Sequence, residues 1–132
     1  MKKNVKIFLV DDDDLFPFLF REYIKETDIS PEVTVFNKGK NVLDYLKDSL
    51  EKTELLPDII FLDLNMPVMD GWEFVEEFIL LKPHLLKKIK LYIFSSTISP
   101  VDIERAREIQ SISEFIIKPS TPEKINAIIR SA

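Results

Sequence analysis

Four aspartates, Asp11, Asp12, Asp13 and Asp14, stand in a row directly after the apolar run VKIFLV. Asp63 sits at the end of a second apolar run, DIIFLDL, and Ser95 and Ser96 close a third, KLYIFSS. Lys118 closes a fourth, EFIIK. In an open parallel sheet, ligands bind beyond the carboxyl ends of the strands. If these runs are parallel strands, three carboxylates, a hydroxyl and a lysine converge on one edge. Converging carboxylates resist full ionisation unless a counter-charge is present. A divalent cation supplies one, and oxygen-only ligands favour a hard ion such as Mg²⁺ where phosphate shares the site. Lys118 adds a second positive charge. The set suits a phosphoryl group, with Asp63 as the nucleophile that forms an aspartyl phosphate. The metal and Lys118 would offset charge on the transferring group.

Five short runs must position these residues: VKIFLV (5–10), EVTVF (32–36), DIIFLDL (58–64), KLYIFSS (90–96) and EFIIK (114–118). Three are nearly continuous in apolar character, as expected of strands buried on both faces. Helical periodicity follows each run. In LFPFLFREYIKE (15–26), Phe16, Leu19, Phe20, Tyr23 and Ile24 share a face, and Phe18 points away from it. GKNVLDYLKDSLEK (39–52) groups Val42, Leu43, Leu46 and Leu50; GWEFVEEFILLK (71–82) groups Phe74, Val75, Phe78 and Ile79. Ser99 with Pro100, and Thr121 with Pro122, read as N-cap and first helical residue of the last two helices. Strand then helix, five times over, predicts a doubly wound α/β fold: a five-stranded parallel sheet, (βα)5, with helices on both faces.

Composition excludes several classes of function. The 132 residues fit one domain. A net charge of −5 argues against a nucleic-acid surface. No cysteine is present, which removes disulfides and thiol chemistry. The N-terminal apolar run is too short for a signal peptide, and no stretch approaches a membrane span, so a cytoplasmic domain is expected. The two glycines, Gly39 and Gly71, stand at helix entries, and no glycine-rich nucleotide loop occurs.

Taken together, FLVDDD, DIIFLDLNMPVMDGWEF, YIFSSTISPVDIERA and EFIIKP resemble the response-regulator receiver domain of two-component signalling. The resemblance covers essentially the whole chain and implies the flavodoxin-like strand order 2-1-3-4-5. It implies a single stand-alone receiver over 1–132 with no output domain. It implies Asp63 as phosphoacceptor, with Mg²⁺ (Mn²⁺ as a substitute) held by Asp11, Asp12, Asp63 and the backbone carbonyl of Asn65. Ser95 matches the switch hydroxyl, Phe115 the aromatic switch, and Lys118 the phosphoryl-contacting lysine. Asn65 and Thr97 flank the pocket. The implied partner is a sensor histidine kinase or a histidine phosphotransfer protein, with a further protein downstream and a homodimer allowed. Phe18 is a candidate for docking the phosphodonor. No membrane or direct nucleic-acid partner is implied, and the domain is a switch rather than a turnover enzyme.

Two countings compete for the switch hydroxyl. Counting back from Lys118 without a gap selects Ser96. Counting forward along the strand selects Ser95 and requires one extra residue before the fifth strand, in EIQSISEF. We take Ser95. Asp13, Asp14 and Asp70 are read as helix-entry or turn residues, Trp72 as packing, His84 as a surface residue and Lys87–Lys88 as a solvated strand entry. A haloacid-dehalogenase-like phosphatase would want a second acid at position 65, where Asn65 stands. A receiver-fold module that takes no phosphate is the remaining alternative.

Overall fold

The run IIFLD is apolar on both faces, and such a strand belongs at the centre of a parallel sheet. In the computed structural model it is the middle strand, with all five residues buried. The structure describes residues 4–11, 15–24, 30–64, 71–95, 99–117 and 121–131. In chain order the elements are β1 (Asn4–Val10), α1 (Leu15–Ile24), β2 (Ser30–Phe36), α2 (Gly39–Asp48), β3 (Ile59–Asp63), α3 (Gly71–Leu81), β4 (Lys90–Ser95), α4 (Pro100–Glu108), β5 (Ile112–Ile117) and α5 (Pro122–Arg130). The strands are parallel and ordered β2-β1-β3-β4-β5, as expected.

Alternate strand residues build two cores. Phe8, Val10, Ile60, Leu62, Leu91 and Ile93 meet Val42, Leu43 and Leu46 of α2, Phe74, Val75 and Phe78 of α3, and Ala106 of α4. Val5, Ile7, Leu9, Ile59, Phe61, Tyr92 and Phe94 meet Phe20 and Ile24 of α1 and Ile125, Ile128 and Ile129 of α5. The period of two thus places α1 and α5 on one face and α2, α3 and α4 on the other. Phe61 anchors the second core, with ring centroids 5.1 Å from Phe20, 5.5 Å from Tyr92 and 5.2 Å from Phe94.

Some boundaries and faces differ from the periodic reading. α2 stops at Asp48, not residue 52. A 3-10 turn over Thr53–Leu55 follows and carries Leu56, fully buried, into the core ahead of β3. β2 begins two residues earlier than expected and includes Pro31; the sheet edge tolerates a residue without an N–H. Ile79 was expected on the buried face of α3 but is 39% exposed, because Gly71, Phe74, Val75 and Phe78 fill the stripe. Both predicted caps form: Ser99 Oγ accepts from the Asp102 N–H at 3.4 Å, and Thr121 Oγ1 from the Lys124 N–H at 3.2 Å.

Lys87 corrects the expectation of a solvated lysine pair. Its ammonium lies 3.0 Å from Asp58 Oδ1 and donates to the Leu56 carbonyl at 3.0 Å, half-buried. Asp58 Oδ2 also accepts from the Lys6 N–H at 2.8 Å, and the Asp58 carbonyl accepts from the Lys90 N–H at 3.0 Å. One residue therefore pins β1, β3 and β4 at the edge opposite the strand carboxyl ends. Asp58→Ala is expected to lower stability by about 2 kcal/mol in urea unfolding, since it strands a lysine and a backbone donor. Asp58→Asn, which keeps an acceptor, should lose less. Equal and negligible losses would mean that the pair is only a solvated surface contact.

Candidate functional site

β1 and β3 are neighbours, and their last paired residues are Val10 and Leu62. The next residue on each chain is Asp11 and Asp63, so the two carboxylates start level on adjacent strands about 4.8 Å apart. Both are buried, at 2% and 7% exposure. The Asp11 N–H still donates to the Phe36 carbonyl at 2.9 Å, so the β1–β2 ladder holds Asp11 in strand geometry. Asp63 is paired with Phe94, and the Leu64 N–H donates to the Phe94 carbonyl at 2.9 Å. Both acids extend the rows of Leu9 and Phe61, two residues back, on the α1/α5 side.

Ser95 closes β4, fully buried and paired with Ile117, the last residue of β5. Lys118 follows Ile117 directly in the chain. The stretch EIQSISEF, where the Ser95 counting expects one extra residue, includes the start of β5. Leu91 pairs with Ile112 but Tyr92 pairs with Glu114, so Ser113 is a bulge. Phe115 is half-buried, level with Ile93 and packed on the α2/α3/α4-side core. Ser95 is two residues beyond Ile93, so Ser95 and Phe115 belong to one face, separated by about 6.6 Å along the strands. Phe115 also lines a cleft of about 380 Å³ between α4 and β5, with Ile103, Ala106 and Ile112.

Asp12, Asn65, Ser96, Thr97 and Lys118 lie outside the described residues, as do Asp13, Asp14 and Asp70. The structure thus brings Asp11, Asp63 and Ser95 to one edge and sets Phe115 just below it. Phe18 is 60% exposed on α1, facing away from the buried Phe20 and Ile24. His84 is exposed, in a 3-10 turn after α3 and ahead of β4, towards the opposite edge. Among the described residues no cluster of three or more His, Cys, Asp or Glu forms. The described donors at the site, Asp11 and Asp63, offer oxygen alone, which fits a hard divalent cation and not a soft one.

Gly71 closes the segment after Asp63: its N–H donates to the Leu64 carbonyl at 2.9 Å. Periodicity also missed a polar cluster beside it. The Trp72 indole N–H donates to Asp102 Oδ1 of α4 at 3.1 Å. The Arg105 guanidinium lies 4.4 Å from the centroid of the Trp72 ring and 3.5 Å from Glu76. Trp72 does pack on the core, but its indole edge also binds a neighbouring helix.

The family model for the response regulator receiver domain matches residues 7–130. A crystal structure of a two-component response regulator from Cytophaga hutchinsonii superposes with a TM-score of 0.81 at 28% identity, covering 99% of this chain and 97% of that one. The phosphorylated cyanobacterial phytochrome response regulator RcpA superposes with a TM-score of 0.76 at 28% identity, covering 97% and 90%. A protein-glutamate methylesterase/protein-glutamine glutaminase of Methanococcoides burtonii is 30% identical over 126 residues. That match takes in 94% of this chain and 32% of the relative, so the chain spans about a third of the methylesterase's length. The chain belongs to the response-regulator receiver family. It is a phosphorylation-activated switch of two-component signalling, and the phosphatase alternative is not favoured. Receiver domains bind Mg²⁺ or Mn²⁺ and are phosphorylated by histidine kinases or phosphotransfer proteins. No helix among the described residues is long and apolar enough to cross a membrane.

Proposed function

We propose that Asp63 is the phosphoacceptor and that its donor is the phosphohistidine of a partner kinase or phosphotransfer protein. A carboxylate oxygen of Asp63 attacks phosphorus; the P–N bond breaks, and the imidazole leaves with the electron pair and takes up a proton. The observation that carries this reading is the pair of buried acids, Asp11 and Asp63, level on adjacent strands at the carboxyl edge. Asp11, Asp12 and Asp63, with the Asn65 backbone carbonyl, would hold Mg²⁺ or Mn²⁺. A bound divalent cation supplies positive charge against the carboxylates and the phosphoryl oxygens. Lys118, the residue after β5 in the chain, would supply a second positive charge. The Ser95 hydroxyl donates to a phosphoryl oxygen once one is present, and Phe115 turns inward as Ser95 moves. On this reading the domain acts as a switch on other proteins and turns over no external substrate.

The test is intact mass after incubation with a small acyl phosphate and Mg²⁺. The chain should gain one phosphoryl group, and a chelator should prevent the gain. No gain with Mg²⁺ present overturns the proposal. Asp12→Ala should weaken Mg²⁺ binding, read by metal titration; unchanged affinity would remove Asp12 from the metal set.

Phe18 supports a docking role because it is a large apolar side chain left exposed on the first helix after the acidic strand end. Phe18→Ala should slow transfer from the cognate phosphodonor by roughly tenfold, the size of one interface anchor. Labelling by the small acyl phosphate should be unchanged. Equal transfer rates from the cognate donor would remove Phe18 from the interface.

A further inference from the structure

The helices that follow Asp63 and Ser95 are tied to each other at their starts. α3 begins at Gly71, bonded to Leu64 beside Asp63. α4 begins at Pro100, and its third residue, Asp102, accepts the Trp72 indole N–H. One turn further along each helix, Arg105 of α4 covers the Trp72 ring and meets Glu76 of α3. The indole is thus held at its edge by a carboxylate and on its face by a guanidinium, a cation–π arrangement.

α4 is lightly held otherwise. Ala106 is its one buried residue, and the cleft of about 380 Å³ lies between it and β5. An element with little apolar burial and space beneath it shifts at low cost.

We propose that the Trp72–Asp102–Arg105 clasp is a restraint that sets the balance of the switch. This rests on the phosphoryl-switch reading above. The clasp fixes the first turn of α4 against α3. Ser95 ends β4 and α4 begins at Pro100, so movement of Ser95 towards a phosphoryl group on Asp63 pulls on that same turn, and the clasp opposes it. By reciprocity, phosphorylation loosens the clasp, and loosening the clasp favours phosphorylation. Trp72 and Arg105 are positioning residues here, acting through α4 and not on the phosphoryl group.

Trp72 is the single tryptophan, so all tryptophan emission comes from the ring held in the clasp. The experiment follows emission and intact mass together while the wild-type chain is incubated with a small acyl phosphate and Mg²⁺. Emission should change in step with the mass gain. Arg105→Gln and Asp102→Ala, which removes the acceptor of the indole N–H, should raise the labelling rate roughly two- to tenfold and speed amide exchange in α4 while β3 stays protected. Arg105→Lys, which keeps a cation over the ring, should fall between. If the mass gain proceeds with steady emission and the variants label at the wild-type rate, the clasp is passive packing and the proposal falls while the phosphoacceptor reading stands. If the wild type gains no mass, the reading beneath it falls instead.

Discussion

Asp63→Asn should gain no phosphoryl group from an acyl phosphate with Mg²⁺, under conditions that label the wild type fully. An amide oxygen is a poor nucleophile and cannot form the acyl phosphate; the loss is complete rather than graded. Asparagine fills nearly the same volume and keeps a carbonyl acceptor, so the buried position at the end of β3 should tolerate it. Its melting temperature should therefore lie within a few degrees of the wild type, roughly the shift that 1 kcal/mol produces in a domain of this size. Ser95→Ala provides the contrast: the nucleophile remains, labelling continues, and the response of Phe115 is lost. A labelled Asp63→Asn chain would place the acceptor elsewhere.

The second large effect is expected from one methyl group. A Cβ at Gly71 would lie 2.6 Å from Leu64 Cδ1, 2.7 Å from Leu64 Cα and 3.0 Å from the Leu64 carbonyl oxygen. The side-chain methyl can rotate aside, but the Cα and the carbonyl are backbone. Leu64 is fixed in turn by its N–H bond to Phe94 and by its buried side chain. Gly71→Ala should therefore cost about 1–3 kcal/mol in urea unfolding, the range for overpacking a close contact. Relief of the clash must move Leu64 or the start of α3. A shift of Leu64 reaches Asp63, one residue away, so the labelling rate should fall as well. A variant as stable as wild type and labelled at the same rate would show that Leu64 makes room for the methyl group without cost.

What was legible in the sequence was set by strong local patterns. Apolar runs of five to seven residues define the strands, and the order strand–helix repeated five times leaves few topologies. Asp63 and Ser95 could be placed because a buried parallel strand shows its end as the first polar residue after the apolar run. Features that depend on two distant segments were not legible. Lys87 resembles any solvated lysine until Asp58, 29 positions earlier, is found beside it. The Trp72–Asp102 bond joins helices whose own periodicities say nothing of each other. α2 ends early because Leu56 must turn into the core, a demand of tertiary packing on a sequence that is still locally helical.

The bulge at Ser113 means that chain length and sheet geometry are decoupled in β5. Ile112 and Glu114 face consecutive residues of β4, so Ser113 is a removable spacer: the ladder would close across its absence with Phe115 and Ile117 still opposite Ile93 and Ser95. Residue counts between Ser95 and Lys118 are therefore one longer than the path the sheet measures. Any ruler laid along this chain to locate site residues has to be read in rungs and not in letters.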